Sequence, residues 1–455
     1  MMPIKKNDII KLKIEDISND GNGVGRYENM AIFIPYTSIG DELSVKIVKV
    51  AKTYAFGIVD NIIKPSSDRV EVDCVNYFKC GGCNFRHISY EAELKSKQKF
   101  VDDCITRIAK LDIKSDTILA SPQENRYRNK VQYPLTVNEK GDIIYGFYKD
   151  RSHSIVPCKD CLLQPEHFSN ILNDVCKMIQ KLKIPIYNEH THKGIIRHIY
   201  LRDGVRSGEV LLCVVINSNT LPNSKNFVNE ITALYPNIKS IVLNVNKKQT
   251  NVITGLKCIT IYNKNDIDDI LCDVPVKLNP LSFYQVNTKG AEQLYNVAKD
   301  FAEVKKEDIL LDLYCGMGTI GLSMAKEVKQ LIGVEIIPEA IEAAKVSAKK
   351  MNLTNTKFIA SDAGKATEKL LNENLKPTII ILDPPRKGCD ETTLNCVIKM
   401  NPERIVMVSC NASTAARDIK YLSKNNYQVI KIKPVDMFPR TKHVECVVLM
   451  SRVEK

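Results

Sequence analysis

Short runs in which apolar and polar residues alternate fill residues 1–62: LKIEDI, AIFIPY, LSVKIVKV and AFGIVDNII, separated by NDGNGVGR and SIGDE. A period of two with glycine-bearing turns at short intervals predicts a small β-barrel. KPSSDRV at 64–70 reads as a linker. Over 70–275 the pattern is mixed. A helix is expected over Glu91–Leu111, with lysines opposite its apolar face. RYRNKVQYPLTV, IIYGFYKD, IIRHIYLRDG, EVLLCVVIN and SIVLNVN then predict an antiparallel sheet packed with helices, an α+β domain. Over 276–455, with the sheet starting near Asp308, apolar strands alternate with helical stretches, the pattern of a doubly wound sheet. The expected fold is multidomain α/β in three parts.

The candidate chemistry gathers in the last part. Ile309–Leu313 leads into a glycine loop and then into TIGLSMAKEVK, in the order strand, loop, helix. There Gly316 and Gly318 allow backbone to approach a ligand at a helix N-terminus. The next strand ends at Glu335, where a carboxylate can accept both ribose hydroxyls of an adenosine. KFIASD ends in Asp362 and TIIILDPP in Asp383, so polar strand ends line one sheet edge, the edge where open α/β sheets bind ligands. RIVMVSC puts Cys410 on that edge, and Glu445 stands between polar FPRTKH and apolar CVVLM. A thiolate and a carboxylate in one pocket suit methylation of uracil at carbon 5. That carbon is a poor nucleophile until a thiolate adds to carbon 6, and a base must afterwards remove its proton. Asp383 and Gln285 are candidates to hold the pyrimidine or the methyl donor.

DLYCGMGTIG, LDPPRKG, VSCNAS, DMFPRTKHVE and SFYQVN together resemble the bacterial RNA (uracil-5-)-methyltransferases that use S-adenosylmethionine, over nearly the whole chain. The resemblance implies a Rossmann-like catalytic domain with Cys410 as nucleophile and Glu445 as proton-abstracting base. It makes Gln285, Tyr314, Glu335 and Asp383 contacts to cofactor or base, with Gly316 and Asp362 on the same cofactor edge. Thr319, Ala412, Ser413, Arg440 and Lys442 depart from the family pattern. The N-terminal barrel resembles the TRAM module of RNA-modifying enzymes. Its Gly21, Gly23 and Gly25 suit either hairpin geometry or direct RNA contact.

Cys74, Cys80 and Cys83 supply three thiols in one loop, one short of a closed tetrahedral site. Cys158 and Cys161 compete to be the fourth, and the donor chemistry admits zinc as well as an iron-sulfur cluster. The resemblance selects Cys161 and a [4Fe-4S] cluster. Barrel and cluster motif together resemble the 23S ribosomal RNA members more than the transfer RNA T-loop members. A non-catalytic RNA-binding ribosome-assembly factor is the alternative from another class.

Composition narrows the setting. Fifteen cysteines without a secretion pattern favour free thiols, a metal site and catalysis in the cytoplasm. With 65 Lys and Arg against 53 Asp and Glu, the net charge of +12 favours a polyanionic partner such as RNA. Arg126, Tyr127, Arg128 and Lys130 mix cations with an aromatic ring, which suits either RNA contact or one exposed strand face. His198 reads as a core group. No apolar run is long enough for a membrane span, and the resemblance implies a monomer.

Overall fold

The computed structural model describes residues 4–149, 152 and 154–453. Strands Ile9–Ile17, Gly23–Tyr27, Met30–Ile34, Glu42–Val50 and Tyr54–Lys64 close into a barrel. Its core is the inward half of the alternation, including Leu12, Ile14, Ile32, Ile34, Leu43, Val45 and Ile47. Gly23 and Gly25 lie within a strand, where a Cβ would collide with Thr37 Oγ1 and Leu12 Cδ1. Close packing therefore accounts for these two glycines.

A seven-stranded sheet follows, in the order Lys257–Asn263, Ile238–Val245, Val210–Ile216, Ile196–Asp203, Lys130–Val137, Ile143–Tyr148 and Ile155–Pro157. One pair departs from the expected antiparallel pattern. Val210–Ile216 and Ile238–Val245 run parallel because helix Ser224–Leu234 provides the crossover that a parallel pair needs. That helix and Glu166–Lys181 cover one face with Phe168, Ile171, Val175 and Phe227. On the other face Tyr200, Leu211, Cys213 and Val215 share a core with the hairpin Ile267–Leu278 and the C-terminal sheet. With both faces covered, every residue of Ile196–Asp203 and Val210–Ile216 is buried. His198 is one of them, and burial pushes its pKa down to about 4.

The helix expected over Glu91–Leu111 runs Tyr90–Cys104 and widens into a π turn over Ile105–Ala109. Its Val101, Cys104 and Ile105 pack into the C-terminal core.

The C-terminal sheet has the order Thr356–Ala360, Gln330–Glu335, Ile309–Leu313, Ile379–Leu382, Arg404–Ser409, Glu445–Arg452, Tyr427–Val435. The first five strands are parallel, and Glu445–Arg452 runs antiparallel to both neighbours. The last residues of the parallel strands and the first residue of the antiparallel strand thus meet at one edge. Register sets Ser409 opposite Cys446, so Cys410 and Glu445 leave the sheet side by side.

Candidate active site

The glycine loop begins where strand Ile309–Leu313 ends. Tyr314, Gly316 and Gly318 all have positive φ (62°, 56° and 75°), which folds the loop back over the strand end. A Cβ on Gly318 would come within 3.2 Å of Ala344 Cβ, whereas one on Gly316 would meet nothing within 4 Å. Gly316 N–H donates to Glu335 Oε2 at 3.2 Å, and Ile337 N–H donates to Glu335 Oε1 at 2.9 Å. Asp312, absent from the sequence-derived site, is buried beneath the loop. Its Oδ2 accepts from Gly321 N–H at 3.0 Å, and its Oδ1 has no partner among the described residues. Burial, with the Asp383 and Glu335 charges adding, raises its pKa to about 8. Asp312 opens the DLYCGMG motif, and that position was the signal available for finding it.

Two expected cofactor residues have local duties. Asp362 is exposed and caps helix Ala363–Asn372, accepting from Lys365 N–H at 3.2 Å. Tyr314 turns its hydroxyl toward Asp390 and Thr393, at 3.4 Å from each.

Cys410, Glu445 and Asp383 come together. Burial, then the charges of Glu445 and Asp383, push the Cys410 thiol up to about 11, while the Arg386 guanidinium pulls it down. Glu445 is 4% exposed, and burial followed by the Asp383 charge raises it to about 8, again opposed by Arg386. Burial and the Glu335 charge raise Asp383 to about 7. Glu445 and Asp383 are therefore weak acids that titrate around neutrality beside the Arg386 cation. Asn411 Nδ2 and Thr414 Oγ1 fix the Arg386 turn by donating to its carbonyl at 3.1 and 3.2 Å. Gln285 joins beside Tyr295, whose buried hydroxyl feels the Asp383 and Glu445 charges. Asn129 Nδ2 holds the Gln285 carbonyl at 2.9 Å. Sequence reasoning passed over Arg386 and Tyr295; Arg386 stands inside the LDPPRKG motif already read as functional.

The segment before Glu445 is clamped by distant elements. Lys97 Nζ, 2% exposed at the side chain, donates to Glu93 Oε1 at 2.6 Å, Asp436 Oδ1 at 2.7 Å and Phe438 O at 3.2 Å. Tyr90 donates to Asp436 Oδ2 at 2.7 Å. Arg440 and Lys442, two of the departures from the family pattern, are tethers. Arg440 N–H donates to Glu93, its guanidinium pairs with Glu124, and its carbonyl accepts from Asn84 and Phe85. Lys442 Nζ reaches Asp20 on the barrel at 2.7 Å.

The tRNA (Uracil-5-)-methyltransferase family matches residues 89–453. The chain belongs to that family. It is accordingly an RNA methyltransferase, and a TRAM domain matches residues 4–59, over the closed barrel. An RNA methyltransferase of Clostridium tetani is 39% identical over 450 residues, 99% of this chain and 98% of its own length. One of Bacillus cereus is 40% identical over 454 residues, 100% of this chain and 98% of its own. The solved tRNA (uracil-54, C5)-methyltransferase of Pyrococcus abyssi, in complex with S-adenosyl-L-homocysteine, superposes with a TM-score of 0.76 at 26% identity. It covers 97% of this chain and 99% of its own.

Elsewhere in this methyltransferase, Cys74, Cys80, Cys83 and Cys161 are partly buried in two segments that are knit together. Asn76 Nδ2 donates to Pro157 O at 2.9 Å, and Cys80 bridges to Lys149. Burial raises the Cys80 and Cys83 thiols, and the nearby Cys161 and Cys74 add to the rise. Cys158 lies beside them, its thiol donating to Asp160 O at 3.3 Å, and Cys161 holds its pKa below the ordinary value. Among the described residues, no three Cys, His, Asp or Glu side chains form a ready ion-binding group. Of the expected RNA-facing segment, Tyr127 is 4% exposed and donates to Pro439 O at 3.0 Å, so its ring cannot receive a base. Arg126 is bound to Asp160 and to the carbonyls of Cys161 and Gln164. No described helix is long and apolar enough to cross a membrane.

Proposed function

We propose that this enzyme transfers a methyl group from S-adenosylmethionine to carbon 5 of a uridine in structured RNA, through a transient bond between Cys410 and carbon 6 of the base. The observation that carries the reading is the convergence of Cys410, Glu445, Asp383 and Arg386 at one sheet edge. The neighbouring loop fits the methyl donor, with open space over Gly316, the Glu335 carboxylate beside it and the unpartnered Asp312 Oδ1 beneath. Glu335 would hold the ribose, with Gly316, Tyr314 and Asp362 around the rest of the cofactor. When bound, the donor supplies an electrophilic methyl group to carbon 5 and leaves as S-adenosylhomocysteine.

The uridine leaves its stack to expose both ring faces, at a cost of roughly a few kcal/mol. Arg386 favours the Cys410 thiolate, whose sulfur bonds to carbon 6 as the carbon 5–carbon 6 electron pair moves toward O4. Asp383 and Gln285 hold the pyrimidine edge. After carbon 5 is methylated, the Glu445 carboxylate takes its remaining proton, the double bond re-forms and the sulfur leaves. Glu445 therefore has to be ionised, and with a pKa of about 8 its active form grows as pH rises past neutrality.

On the family resemblance we assign Cys74, Cys80, Cys83 and Cys161 to a [4Fe-4S] cluster, their two segments being tied by the Asn76–Pro157 hydrogen bond although the thiols do not form a ready ion-binding group among the described residues, and we read the enzyme as a monomer in the cytoplasm. The substrate we put first is 23S ribosomal RNA, on the resemblance of barrel and cysteine motif together. Transfer RNA is the second reading. The Pyrococcus abyssi enzyme, which its name places on tRNA, covers 97% of this chain, so the barrel does not separate the two substrates.

The test is nucleoside and fragment mass spectrometry of 23S and transfer RNA from cells with and without the protein. Loss of 5-methyluridine from ribosomal fragments supports the first reading, and loss from transfer RNA alone supports the second. If neither loses it, or if a Cys410→Ala enzyme still methylates RNA in vitro, the proposed reaction is wrong.

A further inference from the structure

Residues 436–444 join strand Tyr427–Val435 to strand Glu445–Arg452, and the two strands pair with Val435 opposite Glu445. The connection therefore stands on the functional edge and runs straight into the candidate base. Lys97 holds its start, and Tyr127 holds Pro439 O. Arg440 follows with a φ of 67°, a conformation that is costly for a residue with a Cβ and persists only when its surroundings enforce it. Asn84 N–H and Phe85 N–H enforce it by converging on the Arg440 carbonyl at 2.8 and 3.2 Å. Asn84 Oδ1 then accepts from Lys442 N–H at 3.2 Å. Beyond Lys442, the hydrogen bond of His443 N–H goes to Thr441 Oγ1, inside the connection itself. Among the described residues, Asn84 is thus the last outside anchor of this backbone before Glu445.

Asn84 is itself fixed from two sides. Tyr77, buried inside the loop between Cys74 and Cys83, donates to Asn84 O at 2.5 Å. On the barrel, Gly21 has a φ of 76° and approaches so closely that a Cβ there would stand 3.2 Å from Asn84 Cβ. A glycine turn of the barrel, the end of the thiol loop and the approach to Glu445 therefore meet at one junction. Among the described residues, no hydrogen bond joins Asn84 to Cys410 or to the Arg386 turn, whose carbonyl is held by Asn411 and Thr414. The junction reaches the base and not the nucleophile.

We propose that Asn84 is a positioning residue for Glu445 and serves the release half of the reaction, leaving the attack half untouched. The proposal rests on the reading of Cys410 as nucleophile and Glu445 as base. In attack, the Cys410 sulfur bonds to carbon 6 and carbon 5 takes the methyl group; neither step uses Glu445. In release, the Glu445 carboxylate takes the carbon 5 proton, the carbon–hydrogen pair becomes the carbon 5–carbon 6 double bond, and the carbon 6–sulfur pair leaves with Cys410. Only release needs the carboxylate aimed at carbon 5, and a misplacement of about 1 Å costs on the order of a hundredfold in rate. Removing the Asn84 oxygen frees Lys442 N–H and lets the approach to Glu445 shift.

The experiment takes the RNA that loses 5-methyluridine in cells without the protein and transcribes it in two forms. One carries 5-fluorouridine, whose carbon 5 has no proton for Glu445 to take, so the adduct persists and its formation reports attack alone. The other carries uridine tritiated at carbon 5, and tritium reaches water only when that proton leaves. With the full-length protein, Asn84→Ala should form the fluorouridine adduct within about twofold of the parental rate and release tritium about tenfold more slowly. Asn84→Asp keeps an oxygen for Lys442 N–H and should return tritium release to within about threefold of the parent. Parental tritium release by Asn84→Ala, or equal slowing of both steps, overturns the positioning role. Should circular dichroism show the variants unfolded, amide exchange in the parent decides: a protected Lys442 N–H supports the anchor, and one exchanging as fast as an exposed loop amide overturns it. Failure of the underlying reading shows separately, as a parent that releases tritium yet forms no adduct with the fluorouridine RNA.

Discussion

Replacing Glu445 by Gln separates what this carboxylate costs the fold from what it does in the reaction. The side chain is 4% exposed and its pKa is raised from 4.5 to about 8. Below 4.5 the acid is neutral both folded and unfolded, and burial carries no charge penalty. Between 4.5 and 8 the unfolded chain releases the proton while the folded chain keeps it, so stability falls as pH rises. Above 8 the full penalty is present. At about 1.4 kcal/mol per pH unit, the penalty is about 1 kcal/mol at pH 5, about 3 at pH 7 and between about 4 and 5 at pH 9. These are upper values, because water and side chains relax around a buried charge. Glutamine has no proton to lose. The variant should therefore gain on the parent by up to about 4 kcal/mol more at pH 9 than at pH 5. Urea unfolding followed by far-ultraviolet circular dichroism at pH 5, 7 and 9 measures this gap. A gap independent of pH would falsify the placement of an ionisable Glu445 in a dry pocket. The same variant cannot take the carbon 5 proton, so it should accumulate an RNA–protein band that survives denaturing electrophoresis.

Three further expectations follow from neighbouring contacts. Arg386→Gln removes the cation that lowers the Cys410 thiol, so the pH profile of Cys410 alkylation by iodoacetamide should move to higher pH than in the parent; an unmoved profile would detach Arg386 from the nucleophile. Lys97→Met leaves Glu93 and Asp436 facing each other without their cation, and should cost about 3 to 5 kcal/mol. Hydrogen exchange over 436–444 should rise with it, and unchanged protection there would show that the clamp does not hold the segment. Anaerobically purified parent protein should be brown, and Cys83→Ser and Cys161→Ser should bleach it while Cys158→Ser stays coloured. Colourless parent protein carrying zinc would replace the cluster with an ion, and bleaching by Cys158→Ser alone would exchange the two candidate ligands.

Much of this molecule is written locally. Alternation over 1–62 specifies strands with one buried face, and five such strands close to bury them. Strand, glycine loop and helix in order specify the loop at Gly316, and apolar strands ending in Glu335, Asp383 and Cys410 specify one functional edge. These are readable because a period of two, a positive φ or a strand end depends on residues a few positions apart. What the fold alone decided depends on contacts across hundreds of positions. Lys97 meets Asp436 across 339 residues, Tyr127 is sealed under Pro439, and the parallel pair in the central sheet follows from where one helix crosses. Periodicity told that Val101 and Cys104 face a core, but not which one; packing put them in the C-terminal core. The same limit governs the acids. A sequence shows that Asp312, Asp383 and Glu445 are carboxylic acids, but their pKa values near 8, 7 and 8 arise from burial and mutual proximity, which exist only once the chain has closed around them.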